Sequence, residues 1–272
     1  MPAIPVSAIV VTKNEAAALP RCLAALAPFA EVLVVDSGST DATREIATAH
    51  EARVVAYTWD GLYPKKRGWC LAHLPLAHDW VFFVDADEEV TPDLTAAVAE
   101  ADFAGHAGFF VRGRYVWGGR VLRHGLLNAK LALFDRRCVG FPVVDDLGLP
   151  GMGEIEGHYQ PVVLPHAPRT RIGTLRPALL HHACADRAAW DARHARYAAW
   201  ERGMNARRAW PRDPRPWREA LKRVFRAAPC RDLLAFVHSY VWKLGALDGR
   251  AGLDFALARR QYYRMIAQEG QT

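Results

Sequence analysis

The sequence predicts an α/β domain on a mainly parallel sheet with helices on both faces, followed by a basic helical region, with the change falling between residues 165 and 166. Three observations predict it. Short β-rich apolar runs alternate with helix-like segments from Val6 onward, and polar residues gather where those runs end. The charge also reverses: residues 1–164 hold 14 Lys+Arg against 20 Asp+Glu, and residues 165–272 hold 21 against 9.

Val6–Thr12 (VSAIVVT) is a continuous apolar run, as in a strand buried on both faces, and Pro20–Leu26 follows with proline at a helix start, where its missing N–H costs nothing. Glu31–Asp36 (EVLVVD) is a second strand. It runs into the turn-and-cap cluster Ser37-Gly38-Ser39-Thr40, and Asp41–His50 then has a helical pattern. Arg53–Tyr57 is a short third strand, Lys65–His73 a helix, and Trp80–Val84 (WVFFV) a fourth strand ending in Asp85. Strands and helices in this order imply right-handed crossovers between parallel strands, with ligands bound beyond the strands' carboxyl ends. Residues 108–135 hold further strands around a Gly118-Gly119 turn. After His166 the pattern changes: 186–208 is helical and Arg-rich, Pro211, Pro214 and Pro216 form a break, and 217–269 returns to helix.

With 51% apolar, 24% charged and 10% aromatic residues, the 272-residue chain has the composition of a soluble globular protein, which excludes disorder and collagen-like repeats. No apolar stretch reaches the ~18–20 residues a bilayer span requires, and the amino terminus lacks a basic head before an apolar core, so no cleaved signal is expected. The five cysteines lie too far apart for a CxxC pair or zinc spacing and are expected as reduced thiols in a cytosolic protein. The basic half suits nucleic acid, anionic lipid or a phosphorylated substrate, and charge alone does not choose.

Two constellations point to chemistry. Asp85-Ala86-Asp87 sets two carboxylates about one small residue just after a buried strand, where both can reach a hard cation that in turn holds a diphosphate. Asp36, with Ser37 to Asp41, puts a carboxylate at a strand end beside small residues that let a ligand approach the backbone, an arrangement suited to a base or ribose. No GxGxxG follows the first strand, which disfavours a nicotinamide or flavin cofactor.

Ile9-Val10-Val11-Thr12-Lys13-Asn14-Glu15, then Val34 to Thr43 (VVDSGSTDAT), then Val81 to Glu88 (VFFVDADE), together resemble the donor half of family 2 glycosyltransferases. Tyr197-Ala198-Ala199-Trp200-Glu201 and Ser239 to Gly249 resemble the helical tail of a bacterial subgroup that builds lipopolysaccharide core and related envelope glycans. The resemblance implies a GT-A (Rossmann-like) fold and inverting transfer from a nucleotide-sugar donor, UDP-linked ahead of GDP-linked, with Mg2+ or Mn2+ as cofactor. It implies that Thr12, Asn14, Glu15, Asp36 and Ser37 surround base and ribose, with Asp85 and Asp87 at the metal and diphosphate. Lys65, Lys66 and Arg67 depart from the subgroup's pattern; either they steady the diphosphate, Lys66 foremost, or they begin a solvated helix. An inverting transfer needs a carboxylate to take the acceptor's proton. Candidates are Asp145, Asp146, Glu154 and Glu156; Glu156 stands first and Glu154 second, although the subgroup's His-Glu pair aligns with Glu156 and Gly157. Of His181 and His182, the second is taken as a further metal ligand. Trp117, Arg120, Arg123 and His124, near the glycine turn, are candidate acceptor or phosphate contacts, the alternative being a packed aromatic with solvated arginines.

In the tail, 217–226 (WREALKRVFR) sets Trp217, Leu221, Val224 and Phe225 on one helical side among basic positions, and 233–242 is apolar but only ten residues long. Such helices suit an anionic membrane surface or a packed helical subdomain. The expectation is a cytoplasmic enzyme, peripheral on the inner face of the cytoplasmic membrane, with a glycan or lipid-linked acceptor and no nucleic acid partner. The rivals are a sugar-phosphate nucleotidyltransferase, whose glycine-rich basic loop is absent after strand one, and a non-catalytic lipid- or nucleic-acid-binding protein using the basic tail.

Overall fold

The structure, a computed structural model, describes residues 2–184, 187–213 and 215–268; Asp186 at the start of the expected Arg-rich helix, Pro214 of the proline break and Glu269 at the end of the tail lie outside them. The chain forms two compact units, the first of Met1–Gly113, Asn128–Phe141 and Gln160–His181, the second of Arg114–Leu127, Pro142–Tyr159 and His182–Thr272.

In the first unit, β1 (Ile4–Thr12), β2 (Phe29–Asp36), β3 (Arg53–Ala56) and β4 (Trp80–Asp85) lie in the order β3-β2-β1-β4, all three pairings parallel. The sheet continues through β8 (Leu127–Asp135), antiparallel to β4, then β6 (Gly108–Trp117), β11 (Ile172–Cys184) and the two-residue β5 (Glu88–Glu89). Alternation along β1 builds two cores. Val6, Ala8 and Val10 meet Leu19, Cys22 and Leu26 of α1 (Leu19–Leu26), Ala47 of α2 (Thr43–Ala49) and Leu94 and Val98 of α4 (Pro92–Ala99). Ile9, on the other face, joins Cys70 of α3 (Lys66–His73), Phe83 and Phe134. Each fully buried aliphatic or phenylalanine side chain contributes ~1.5–3 kcal/mol to this arrangement.

The helical region expected from residue 166 begins with a strand instead. The sheet takes in the 13-residue β11, whose Leu180 and His181 pair antiparallel with Glu89 and Glu88, and Gln160–His181 accordingly belongs to the first unit. Pro177 and the mixture of polar and apolar residues hide this strand from periodicity, and pairing to neighbours supplies it. The short β9 (Val139–Gly140) and β10 (Val162–Val163) form a separate antiparallel pair.

The second unit holds the hairpin from β6 into β7 (Arg120–Val121), whose Gly118 and Gly119 turn has φ of 55° and 76°, and the helices α5 (Arg187–Arg207), α6 (Pro216–Ala227), α7 (Arg231–Val237) and α8 (Gly249–Ala267). The apolar run at 233–242 is not one regular helix: α7 widens into a π-helical turn at His238–Trp242, and Gly245–Asp248 forms a 3-10 turn. Trp117, Trp190, Phe255, Tyr262 and Ile266 form its core. Buried Glu201 accepts hydrogen bonds from Tyr262 Oη (2.8 Å) and Arg231 Nη2 (2.5 Å). His194 stacks on Trp190 with ring centroids 3.5 Å apart, and burial pushes its imidazole down to about 3. The folded state therefore keeps His194 neutral while an unfolded chain protonates it near pH 6.5, so stability present above that pH is lost as acidity rises toward pH 3. We expect urea unfolding to show about 2 kcal/mol less stability from this group at pH 5 than at pH 7. His194→Gln should flatten the pH dependence by that amount, and an unchanged slope would refute the assignment.

Candidate active site

The parallel register brings the polar strand ends within one residue of a common level. Thr12 of β1 lies opposite Asp36 of β2, and Val11 lies opposite both Val35 of β2 and Asp85 of β4. Asp36 is fully buried; it accepts hydrogen bonds from the Ser39 amide (3.0 Å), the Ser39 hydroxyl and Arg44 Nε (2.8 Å). Burial works to raise its pKa, but the Ser39 hydrogen bonds and the Arg44 guanidinium outweigh it and hold the carboxyl below the usual range.

Asn14 stitches two loops together. At φ 57°, a conformation asparagine tolerates better than most residues, its amide donates to Ser39 Oγ (2.8 Å) and its Oδ1 accepts from the Thr40 amide (2.8 Å). The Glu15 amide donates to Thr43 Oγ1 at 2.9 Å. The Ser37 amide donates to Thr12 O at 3.1 Å, while the buried Ser37 hydroxyl meets no hydrogen-bond partner among the described residues. A buried polar atom left unsatisfied beside a buried carboxylate is a feature that a bound ligand can complete.

The basic run is not a solvated helix start: Lys65 and Lys66 are 1% and 3% exposed. Lys66 Nζ donates to Thr12 O at 2.7 Å, which puts an ammonium at the end of β1, and Lys65 Nζ lies over the Trp59 and Tyr63 rings. Arg67 Nη2 reaches Asp85 Oδ1 at 2.5 Å. Lys130, from the middle of β8, bridges Asp85 Oδ2 and Glu88 Oε1, each at 2.7 Å. Burial tends to raise the Asp85 carboxyl, yet Lys130 and Arg67 hold it well below the carboxylate range; burial and the Asp85 charge push Glu88 up. Sequence reasoning passed over Lys130; its one signal was a cation inside the otherwise apolar run Ala129–Phe134.

A divalent cation is tested by the donors present. His181 Nε2 lies 3.4 Å from Asp87 Oδ2, because the pairing of β11 with β5 sets His181 opposite Glu88. A carboxylate and an imidazole suit Mn2+ or Mg2+ when water or phosphate oxygens complete the shell. No group of three or more His, Cys, Asp and Glu side chains that could hold a metal occurs among the described residues, so the fit is to an open, two-ligand seat. Asp85, expected as a ligand, gives both its oxygens to Arg67 and Lys130. His181, not the expected His182, is the histidine at Asp87, and strand alternation turns His182 to the other face of β11.

The candidate bases and acceptor contacts belong to the second unit. Asp145 is an exposed partner of Arg207 (3.0 Å), and buried Asp146 accepts from Trp200 Nε1 (3.2 Å), so both are engaged in holding local structure. Glu156 is 3% exposed and Glu154 partly so. The adjoining Gly157 lies flat against the Trp200 ring, where a Cβ would collide with it. The amides of Arg123 and His124 donate to Asp248 at 2.9 and 2.8 Å, which fixes that loop. Trp117 is buried in the core and Arg120 is exposed.

A sheet with four parallel strands, its carboxylates, lysines and unsatisfied hydroxyl gathered at the strands' carboxyl ends, defines an α/β protein of the GT-A type. The family model "Glycosyl transferase family 2" matches residues 7–147, just over half of the chain, and the chain belongs to that family. An uncharacterized glycosyltransferase of Rickettsia bellii is 41% identical over 90 residues, 33% of this chain and 30% of that protein. The lipopolysaccharide core biosynthesis glycosyltransferase LpsC of Rhizobium meliloti is 33% identical over 112 residues, 37% of this chain and 40% of the relative. The chain thus spans about a third of the length of the curated relatives it matches. Among solved structures, glucosyl-3-phosphoglycerate synthase from Mycobacterium tuberculosis, in complex with Mn2+, UDP and glucosyl-3-phosphoglycerate, aligns at TM-score 0.31 and 26% identity over 42% of this chain and 44% of that one.

Proposed function

We infer that this protein transfers a sugar, with inversion, from a nucleotide-sugar donor, UDP-linked ahead of GDP-linked, to a bacterial envelope glycan or its lipid-linked precursor. The observation that carries the reading is the meeting of polar strand ends across three adjacent parallel strands, Thr12 opposite Asp36 and Asp85 one residue back opposite Val11, with the hydroxyl of Ser37, next in the chain to Asp36, left unsatisfied. The lipopolysaccharide role named for the Rhizobium relative supports the acceptor class.

In this reading Thr12, Asn14, Glu15, Asp36 and Ser37 hold base and ribose. Lys66 and Arg67 bring positive charge toward the diphosphate, so that charge developing on the leaving group meets fixed cations. Asp87 and His181 would hold Mg2+ or Mn2+, which when bound supplies neutralisation of the departing diphosphate. Asp85, locked between Arg67 and Lys130, orients both cations. Glu156, with Glu154 second, takes the proton from the acceptor hydroxyl as it attacks the anomeric carbon. Glu156→Gln is expected to lower turnover about 10²-fold while leaving donor binding unchanged, and turnover close to wild type would move the role to Glu154.

Class and donor are tested together by thermal stabilisation across nucleotide sugars with and without Mn2+, since a ligand that binds only the folded state raises the melting temperature. Stabilisation by one donor and none by NAD is expected; no response to any donor would overturn the reading. Ser37→Ala should leave the ligand-free melting temperature unchanged or slightly raised, because it removes an unsatisfied buried hydroxyl, and should weaken the donor about tenfold. Unchanged donor affinity would remove Ser37 from the site.

A further inference from the structure

The exposed apolar side chains are concentrated in one stretch. Of the sixteen large hydrophobics exposed among the described residues, ten fall between Trp217 and Leu247, within the second unit. On α6, Trp217, Leu221 and Val224 stand at i, i+4 and i+7 and are 60%, 60% and 71% exposed, and the helix has no buried residue. Phe225, at the edge of this stripe, turns onto Tyr263 of α8 with ring centroids 5.0 Å apart, so the helix rests on its flank with the stripe outward. The turns after α7 repeat the pattern, with Val241, Trp242 and Leu247 at 58%, 79% and 65% exposure.

The charge beside these side chains is one-sided. Residues 207–243 hold ten Lys or Arg against three Asp or Glu. Asp213 engages Arg218 and Lys222, and Glu219 engages Arg223 and Arg226, which ranges four cations along the polar side of α6 around only two carboxylates. A nucleic-acid backbone would use the cations and leave the aliphatic stripe in water. An anionic bilayer uses both, because acyl chains accept the stripe, headgroup phosphates meet the arginines, and tryptophan settles at the boundary. No helix among the described residues is long and apolar enough to cross a membrane, and a helix of this length lies in the boundary plane.

We propose that α6 and the turns at 238–248 form a docking surface for an anionic phospholipid bilayer. The surface lies in the second unit alone and does not rest on the glycosyl-transfer reading. The test is co-sedimentation of the full chain with vesicles of phosphatidylglycerol in phosphatidylcholine, and with pure phosphatidylcholine, at low and high salt. Binding to the anionic vesicles at low salt is expected, weakened by salt and about tenfold weaker on pure phosphatidylcholine. The variant Trp217→Ser, Leu221→Ser, Val224→Ser keeps the charge and removes the stripe; with an unchanged circular dichroism spectrum it should bind anionic vesicles at least tenfold more weakly. Arg223→Gln with Lys243→Gln should weaken binding at low salt only. Absence of binding to anionic vesicles at low salt would overturn the proposal, as would equal binding by the triple variant. A dimer that the triple variant dissociates, with vesicle binding unaltered, would assign the surface to a second copy instead.

Discussion

Replacing Lys130 by methionine is expected to destabilise the fold by about 3–5 kcal/mol, the cost of removing one partner from a buried ion pair. The ammonium lies 2.7 Å from both Asp85 and Glu88, and the Glu88 side chain has no exposure to water, so its charge has nowhere else to be solvated. Methionine keeps the length and apolar stem of lysine, which confines the effect to charge. The second substitution, Glu88→Gln in the Lys130→Met background, should recover a large part of the loss by removing the stranded carboxylate. Urea unfolding of the two variants checks this, and a single variant within about 1 kcal/mol of wild type would mean that Lys130 is dispensable to the fold.

Asp87→Asn is expected to reduce turnover by ~10²–10³-fold with little effect on stability. Its carboxylate is 21% exposed, against none for Glu88, and lies 3.4 Å from His181, so solvent and a ligand can reach it. The same variant should abolish the part of donor-induced stabilisation that depends on Mn2+ while keeping any part that does not. Calorimetric titration with Mn2+ and a UDP-sugar separates the two. Full activity in the asparagine variant would dismiss Asp87 as a cation ligand.

The parallel strands and the polar residues at their ends were legible because they rest on local signals. The runs VSAIVVT, EVLVVD and WVFFVD are apolar enough to be buried on both faces, each ends abruptly in polar residues, and all three are parallel strands ending at Thr12, Asp36 and Asp85. What escaped is held by pairing at a distance. β5 is two glutamates that are a strand only because Leu180 and His181 lie against them. β11 carries Pro177 and adjacent histidines, so no period marks it, and which of His181 and His182 faces Asp87 is decided by a strand that the sequence leaves unmarked. Lys130 was visible as a misplaced cation, but its carboxylates lie 45 and 42 positions away, and no spacing rule joins residues so separated. In the tail the amphipathic pattern of 217–226 was readable, whereas the widening at His238–Trp242 reflects a change of helical hydrogen bonding that composition does not encode.

The alignment of Thr12 with Asp36 and of Val11 with Asp85 makes strand length a chemical variable. Deleting one residue from the middle of β4 would draw Asp85 back by ~3.3 Å and invert its side chain to the opposite face, although every amino acid thought to do chemistry would still be present. Exchanging one aliphatic for another along these strands keeps that geometry, whereas an insertion or deletion within them, unlike one in a loop, is expected to abolish it.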